Sequence, residues 1–191
     1  MKTHWKALVA ADFFSVEVSS WRGLTTHYVL FVMDLATRRI RIAGITVHPN
    51  ADWMMQVGRN LLDLVDGPLA GKKYLILDRD TKYCAAFRQM LAREGIRVIP
   101  LPPRSPNLNA YAERWIPGVR AECLSKVIPI GQWMLHRALR EYVAHHHLER
   151  NHQGLSNALI TPCPVVNGQG RSVIRNSRLG GILNYYERIA A

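Results

Sequence analysis

The hydrophobic period switches from two to 3.6 near residue 50 of this chain, and that switch restricts the fold more than any other feature. Before it, apolar residues recur with the two-residue period of strands. Phe14, Val16 and Val18 alternate with Ser15, Glu17 and Ser19, residues 28–35 (YVLFVMDL) are rich in β-branched and aromatic side chains, and residues 39–47 alternate less perfectly. After it, Met54, Val57, Leu61 and Leu64 recur at spacings of three and four behind Pro49 and the potential cap Asn50, which predicts a helix ending at Gly67 and Pro68. Short apolar runs at 74–77 (YLIL) and 96–101 (IRVIPL) then bracket a helix that carries Phe87, Met90 and Leu91 and stops at Gly95. The order is three strands, helix, strand, helix, strand, then helices. Strands joined by tight turns pair antiparallel, and strands joined through a helix pair parallel. An α/β fold is expected, with a central five-stranded mixed sheet, three antiparallel strands and then two parallel ones, flanked by helices.

Beyond the strands, residues 102–107 hold three prolines among turn formers and predict a loop, followed by a helix from near Asn107. Pro117 lies within that helix and predicts a kink, since it removes a backbone donor and crowds the carbonyl of Glu113. Residues 130–150 form the longest helical pattern, with Leu135, Leu139, Tyr142 and Val143 on one side. Its end carries His145, His146 and His147, which point in three directions on a helix and are expected to be solvated or capping. Residues 163–181, rich in Gly, Asn, Ser and Arg, are expected as loop or extended tail, while residues 182–186 could dock. The domain expectation is one core over 1–160 and a partly irregular C-terminal extension over 161–191.

A chain of 191 residues buries enough surface to fold without covalent help. Its three cysteines, Cys84, Cys123 and Cys163, are odd in number and form no CxxC pair, which argues against a disulfide framework or zinc site and for a reducing compartment. No run approaches the roughly 18 apolar residues of a membrane span. Asp12 and Glu17 interrupt the only stretch resembling a secretion signal. A cytoplasmic protein with no membrane partner is expected. Twenty-five Lys and Arg against fourteen Asp and Glu give a net charge of +11 and a pI near 10.1. The excess is spread over both halves, as on a surface that meets a polyanion, so nucleic acid is the leading partner and nucleoid association is expected.

Three carboxylates look out of place. Asp12 shares strand parity with Leu8, Ala10, Phe14 and Val16, where an ionised acid is costly unless paired, hydrogen-bonded or metal-bound. Asp78 directly follows YLIL, at the strand end where open α/β sheets place ligands. Glu113 stands in a helix among Tyr111, Ala112, Trp115 and Ile116. Each has an ordinary explanation. Backbone donors could satisfy Asp12, Asp78 could cap a turn, and Glu113 could pair with Arg120. Asp80 also competes with Asp78 for the strand-end position.

Asp12 in VAADFF, Asp78 in LILDRDTKY and Glu113 in SPNLNAYAER resemble the D, D, E set of retroviral-type integrase catalytic cores and the related insertion-sequence transposases. Thirty-four residues lie between Asp78 and Glu113, similar to the family's spacing, and HHHLERNHQGL at 145–155 resembles its downstream segment. The resemblance covers roughly residues 4–160. It implies a ribonuclease-H-like fold in which the first strand, the end of the fourth strand and a helix bring three acids together. It further implies DNA cleavage and strand transfer by a polynucleotidyl transferase, with Asp12, Asp78 and Glu113 as catalytic metal ligands. Carboxylate oxygens suit Mg²⁺, with Mn²⁺ as substitute, and two such ions can stabilise both the attacking and the departing oxygen.

Lys82, Arg104, Asn109, Arg114 and Arg120 flank the acids and are candidate DNA contacts. The sequence departs from the family where Asp78-Arg79-Asp80 stands in place of Asp-x-Gly. As an apparently isolated core, the chain is expected to form a homo-oligomer and to need a separate DNA-binding chain or a missing N-terminal domain to recognise DNA ends. A simple ribonuclease-H-like nuclease is the alternative among enzymes. A catalytically inactive DNA-binding remnant, favoured by Pro117 and Gly118, is the alternative outside them.

Overall fold

The computed structural model describes residues 2–101, 110–162 and 172–189. The chain divides into two compact units, Met1–Pro117 and Gly118–Ala191. In the first, strands β1 (Leu8–Ser20), β2 (Gly23–Asp34) and β3 (Ile40–Thr46) form an antiparallel meander. Helix α1 (Ala51–Leu61) leads to β4 (Tyr74–Leu77), and helix α2 (Ala85–Arg93) leads to β5 (Arg97–Pro100). The sheet order is β3-β2-β1-β4-β5, with β1/β4 and β4/β5 parallel. The expected five-stranded mixed sheet is therefore the fold. Helix α3 (Ala110–Glu122) follows.

One sheet face carries the main core. Val9, Ala11, Leu30, Val32, Leu75 and Leu77 pack with Met54, Val57 and Leu61 of α1 and with Phe87 and Leu91 of α2. The imperfect alternation over β3 has a structural cause. The β2–β3 register shifts between Leu30, opposite Gly44, and Phe31, opposite Ile42. A bulge there re-aims the strand. Gly44 is required at this point, because a Cβ would stand 2.7 Å from the Trp53 ring.

Asn50 caps α1 as expected, its Oδ1 accepting from the Trp53 N–H at 2.9 Å. The helix ends earlier than predicted. Leu64, expected on the buried face, is 89% exposed. Asp63 is the reason, since its Oδ1 accepts the N–H groups of Val65 and Asp66, both at 2.9 Å, and folds the chain into a turn instead. Helix α3 is continuous through Pro117, which leaves the Glu113 carbonyl without its partner four residues on.

The second unit contains helix α4 (Gly131–Leu148) and an antiparallel hairpin of β6 (Ser172–Arg178) and β7 (Leu183–Ile189). Residues 163–171 lie outside the described part, but 172–178, expected as loop, pair as a strand. The turn at Gly180 and Gly181, both at positive φ, permits that pairing. The histidines also differ from expectation: His145 and His146 are 8% and 7% exposed. Arg178 explains one of them. Its guanidinium bonds Glu149 at 2.6 Å and Glu141 at 2.7 Å, and Glu149 holds His145 Nδ1 at 2.9 Å. Arg150 binds Glu122 at 2.7 Å, and Tyr142 donates to the same carboxylate at 3.1 Å. Burial beside His152 and His147 pushes the His146 imidazole down to about 3, so it stays neutral.

Candidate active site

Strand register brings the first two acids level. Ala10 of β1 pairs with Ile76 of β4 in parallel, so Asp12 and Asp78 each stand two residues beyond that pair, where β4 ends beside β1. Asp12 lies opposite Phe31 on its other side. Helix α3 supplies the third acid from its first turn. Two residues after Glu113, the buried Trp115 ring lies 4.4 Å from Phe31 and 5.8 Å from Phe14. The helix is thus anchored on the strand residue that faces Asp12. Tyr111 adds an edge contact to Trp5 at 5.7 Å and lies under the Arg38 guanidinium at 3.2 Å.

The carboxylates sense one another. Burial pushes the Asp12 carboxyl up to about 6, and the charges of Asp78, Glu113 and Asp80 push the same way against an opposing hydrogen bond from the Phe13 N–H at 2.7 Å. Asp78 is also raised, by burial first and then by Asp80, although its Oδ1 accepts the Asp80 N–H at 3.1 Å. Glu113 is exposed. Two of the three ordinary explanations are therefore present, a backbone donor on Asp12 and a turn at Asp78, and on Asp12 the burial and the neighbouring charges outweigh that donor.

Among the described residues, no three His, Cys, Asp or Glu side chains stand as close together as a shared metal ion requires. The three acids are nevertheless all-oxygen, all-carboxylate donors, the ligand type of a hard divalent cation. On the loop after Asp78, the Tyr83 hydroxyl is buried and has no hydrogen-bond partner among the described residues.

Comparison with solved structures gives the fold independently. The HTLV-2 integrase catalytic core domain in complex with magnesium, in its trimeric form, superposes with a TM-score of 0.60 at 8% identity, over 81% of this chain and 93% of that one. The fold is that of a retroviral integrase catalytic core. The BIV integrase catalytic core domain matches at a TM-score of 0.53 and 15% identity, over 78% of this chain and 88% of that one. A chain of the simian T-cell lymphotropic virus intasome in complex with PP2A regulatory subunit B56 gamma matches at 0.56 and 14%, over 89% of this chain and 62% of that one. No protein-family model and no curated protein matches the sequence. Identities this low establish the integrase-core fold and nothing finer.

On that core, the basic candidates divide. The Lys82 ammonium is bound to Asp80 at 2.6 Å and lies 5.4 Å from the Phe13 ring and 5.2 Å from the Tyr28 ring, so its charge is already engaged beside the acids. Asp80 thus takes Lys82 as its ion-pair partner, while the charges of Lys82 and Arg88 also act on Asp78 and oppose its upward shift. Arg114 and Arg120 are exposed on α3. Arg104 and Asn109 lie outside the described residues. No helix among the described residues is long and apolar enough to cross a membrane.

Proposed function

We propose that the chain is the catalytic core of a metal-dependent polynucleotidyl transferase that cleaves DNA strands and transfers them, as in integration or transposition. The observation that carries this reading is the electrostatic convergence of Asp12, Asp78 and Glu113, three acids remote in sequence, on an integrase-core fold. Asp12, Asp78 and Glu113 would hold the ions. Mg²⁺, or Mn²⁺ in its place, would supply positive charge to the attacking and departing oxygens when bound.

The chain's own residues do the rest. Asp12 sits on β1 and Asp78 directly after the end of the neighbouring β4, and Trp115 anchors the helix that presents Glu113. Arg114, exposed on α3, is a candidate phosphate contact, and the basic surface favours contact with any duplex. DNA is the proposed substrate. A homo-oligomer would hold two DNA ends, and a further DNA-binding domain or chain would select them. Residues 1–160 are proposed as the integrase-like core and 161–191 as its extension.

The test is cleavage and strand transfer on labelled DNA with Mg²⁺ or Mn²⁺, comparing wild type with Glu113→Gln. Activity in the wild type, reduced at least about a hundredfold in the variant, is expected. Equal activity in both proteins would sink the three-acid assignment. Hydrolysis without any joined product would move the enzyme to the nuclease class.

A further inference from the structure

The two faces of the β6–β7 hairpin differ in what they meet. On one, Arg178 bonds Glu141 and Glu149, and the Tyr185 ring lies 6.4 Å from the His145 ring, so that face is seated on α4. Alternation along the strands puts Val173, Arg175 and Ser177 of β6, with Asn184 and Tyr186 of β7, on the other. Val173 is 60% exposed and Tyr186 68%, and Arg175 and Ser177 are exposed with them.

Arg175 and Tyr186 stand directly opposite each other in the register, a placement that sets their Cβ atoms roughly 5 Å apart. The guanidinium is already oriented. Its Nε and Nη2 both donate to Asn184 Oδ1, at 3.2 and 2.9 Å, and Nη1 has no hydrogen-bond partner among the described residues. Residues 118–191 carry nine Lys and Arg against four glutamates. Those acids are all engaged elsewhere, Glu122 with Arg150, Glu141 and Glu149 with Arg178, and Glu187 with the Asn176 amide at 2.9 Å. The five outward positions therefore hold a cation and no acid. A second copy of the same face would set Arg175 against a like charge, whereas a polyanion meets it with the opposite one. A polyanion with planar rings also uses the exposed phenol.

We propose that this outward face is a contact surface for single-stranded nucleic acid, Tyr186 stacking on an unpaired base and Arg175 donating through Nη1 to a phosphate of the same strand. Bases in a duplex cover one another's faces, so the ring favours unpaired strand while the guanidinium answers to any phosphate. The proposal shares DNA as partner with the reading above, but it uses none of the three acids and no metal ion, so either can fail alone.

The test is fluorescence anisotropy in EDTA, with the full chain and labelled DNA single strands and duplexes of equal length. The proteins are wild type, Tyr186→Ala, Tyr186→Phe, Arg175→Ala and Lys126→Ala, the last removing one exposed charge outside the hairpin. Circular dichroism checks that each is folded, and light scattering gives its oligomeric state. Tyr186→Ala is expected to weaken single-strand binding about fivefold or more and duplex binding less than twofold, with Tyr186→Phe at wild-type affinity. Arg175→Ala is expected to weaken both and to lower the slope of log Kobs against log salt by roughly 0.7–0.9, with Lys126→Ala within twofold of wild type. No single-strand binding by wild type, Tyr186→Ala within twofold of it, or an equal loss in Tyr186→Phe would overturn the proposal. Equal losses in Arg175→Ala and Lys126→Ala would overturn it too, as binding by net charge alone, and that pair decides even where Tyr186→Ala is unfolded. A changed oligomeric state in the hairpin variants with unaltered DNA binding would assign the face to a second copy of the chain instead.

Discussion

Asp12 ionises less readily than an ordinary aspartate because it is partly buried and faces three further carboxylates, which raises its carboxyl from 3.8 to about 6. A group whose folded pKa exceeds its unfolded value binds a proton more tightly in the folded state. The metal-free protein therefore holds this contribution fully below about pH 4 and loses it as pH rises through about 6, an effect of order 2–3 kcal/mol. Asp78 shifts in the same direction and adds to it. Asp12→Asn is expected to remove the dependence, so its stability relative to wild type in urea melts should increase from pH 4 to pH 7. A flat difference across that range would contradict the site's electrostatics. Cation binding has the opposite sign, because the proton must leave Asp12 first, and Mn²⁺ affinity is expected to rise between pH 5 and 7. The partial burial of Asp12 was legible from strand parity alone. The contribution of Glu113 was not, since that depends on where α3 lies.

At the scale of elements, α3 is positioned by its indole. Trp115→Ala would remove the contacts to Phe14 and Phe31, at a cost of about 3–5 kcal/mol. Because the same contacts place Glu113, any residual folded protein should lose activity beyond its loss of folded fraction. Measuring rate per folded molecule, by active fraction and circular dichroism together, checks this. Gly44 plays a comparable role on the opposite face, where the Trp53 ring lies against the strand. Gly44→Ala should cost about 1–3 kcal/mol through overpacking, read as a lowered urea midpoint. The faulty alternation in residues 39–47 hinted at that bulge, but only the β2–β3 pairing located it. The early end of α1 escaped periodicity because Leu64 fits the helical spacing, while the competing Asp63 turn is a local hydrogen-bonding choice.

At the scale of the molecule, the net charge of +11 sets the expected encounter with DNA. Binding to a duplex of arbitrary sequence should weaken steeply with salt, linearly in log Kobs against log salt, in titrations between 50 and 200 mM. A slope near zero would show that the basic excess does not meet phosphates. In the second unit, the Arg178 network with Glu141, Glu149 and His145 ties the hairpin to α4, although composition there suggested loop. Glycine and asparagine read as irregular locally, and cross-strand pairing with residues downstream reversed that choice.

The amino-acid sequence by itself determined the order of strands and helices and hence the mixed sheet, because hydrophobic period is a local property that survives whatever the elements pack against. It also singled out Asp12, Asp78 and Glu113 as acids in apolar surroundings. Only the tertiary structure decided that the charges of Asp78, Asp80 and Glu113 help to raise the Asp12 carboxyl, that Asp80 engages Lys82, that the Tyr83 hydroxyl is buried and that His145 and His146 are buried. Charge repulsion and hydrogen-bond satisfaction follow distance through space, and no spacing along the chain encodes that distance until the sheet register and the helix anchors are in place.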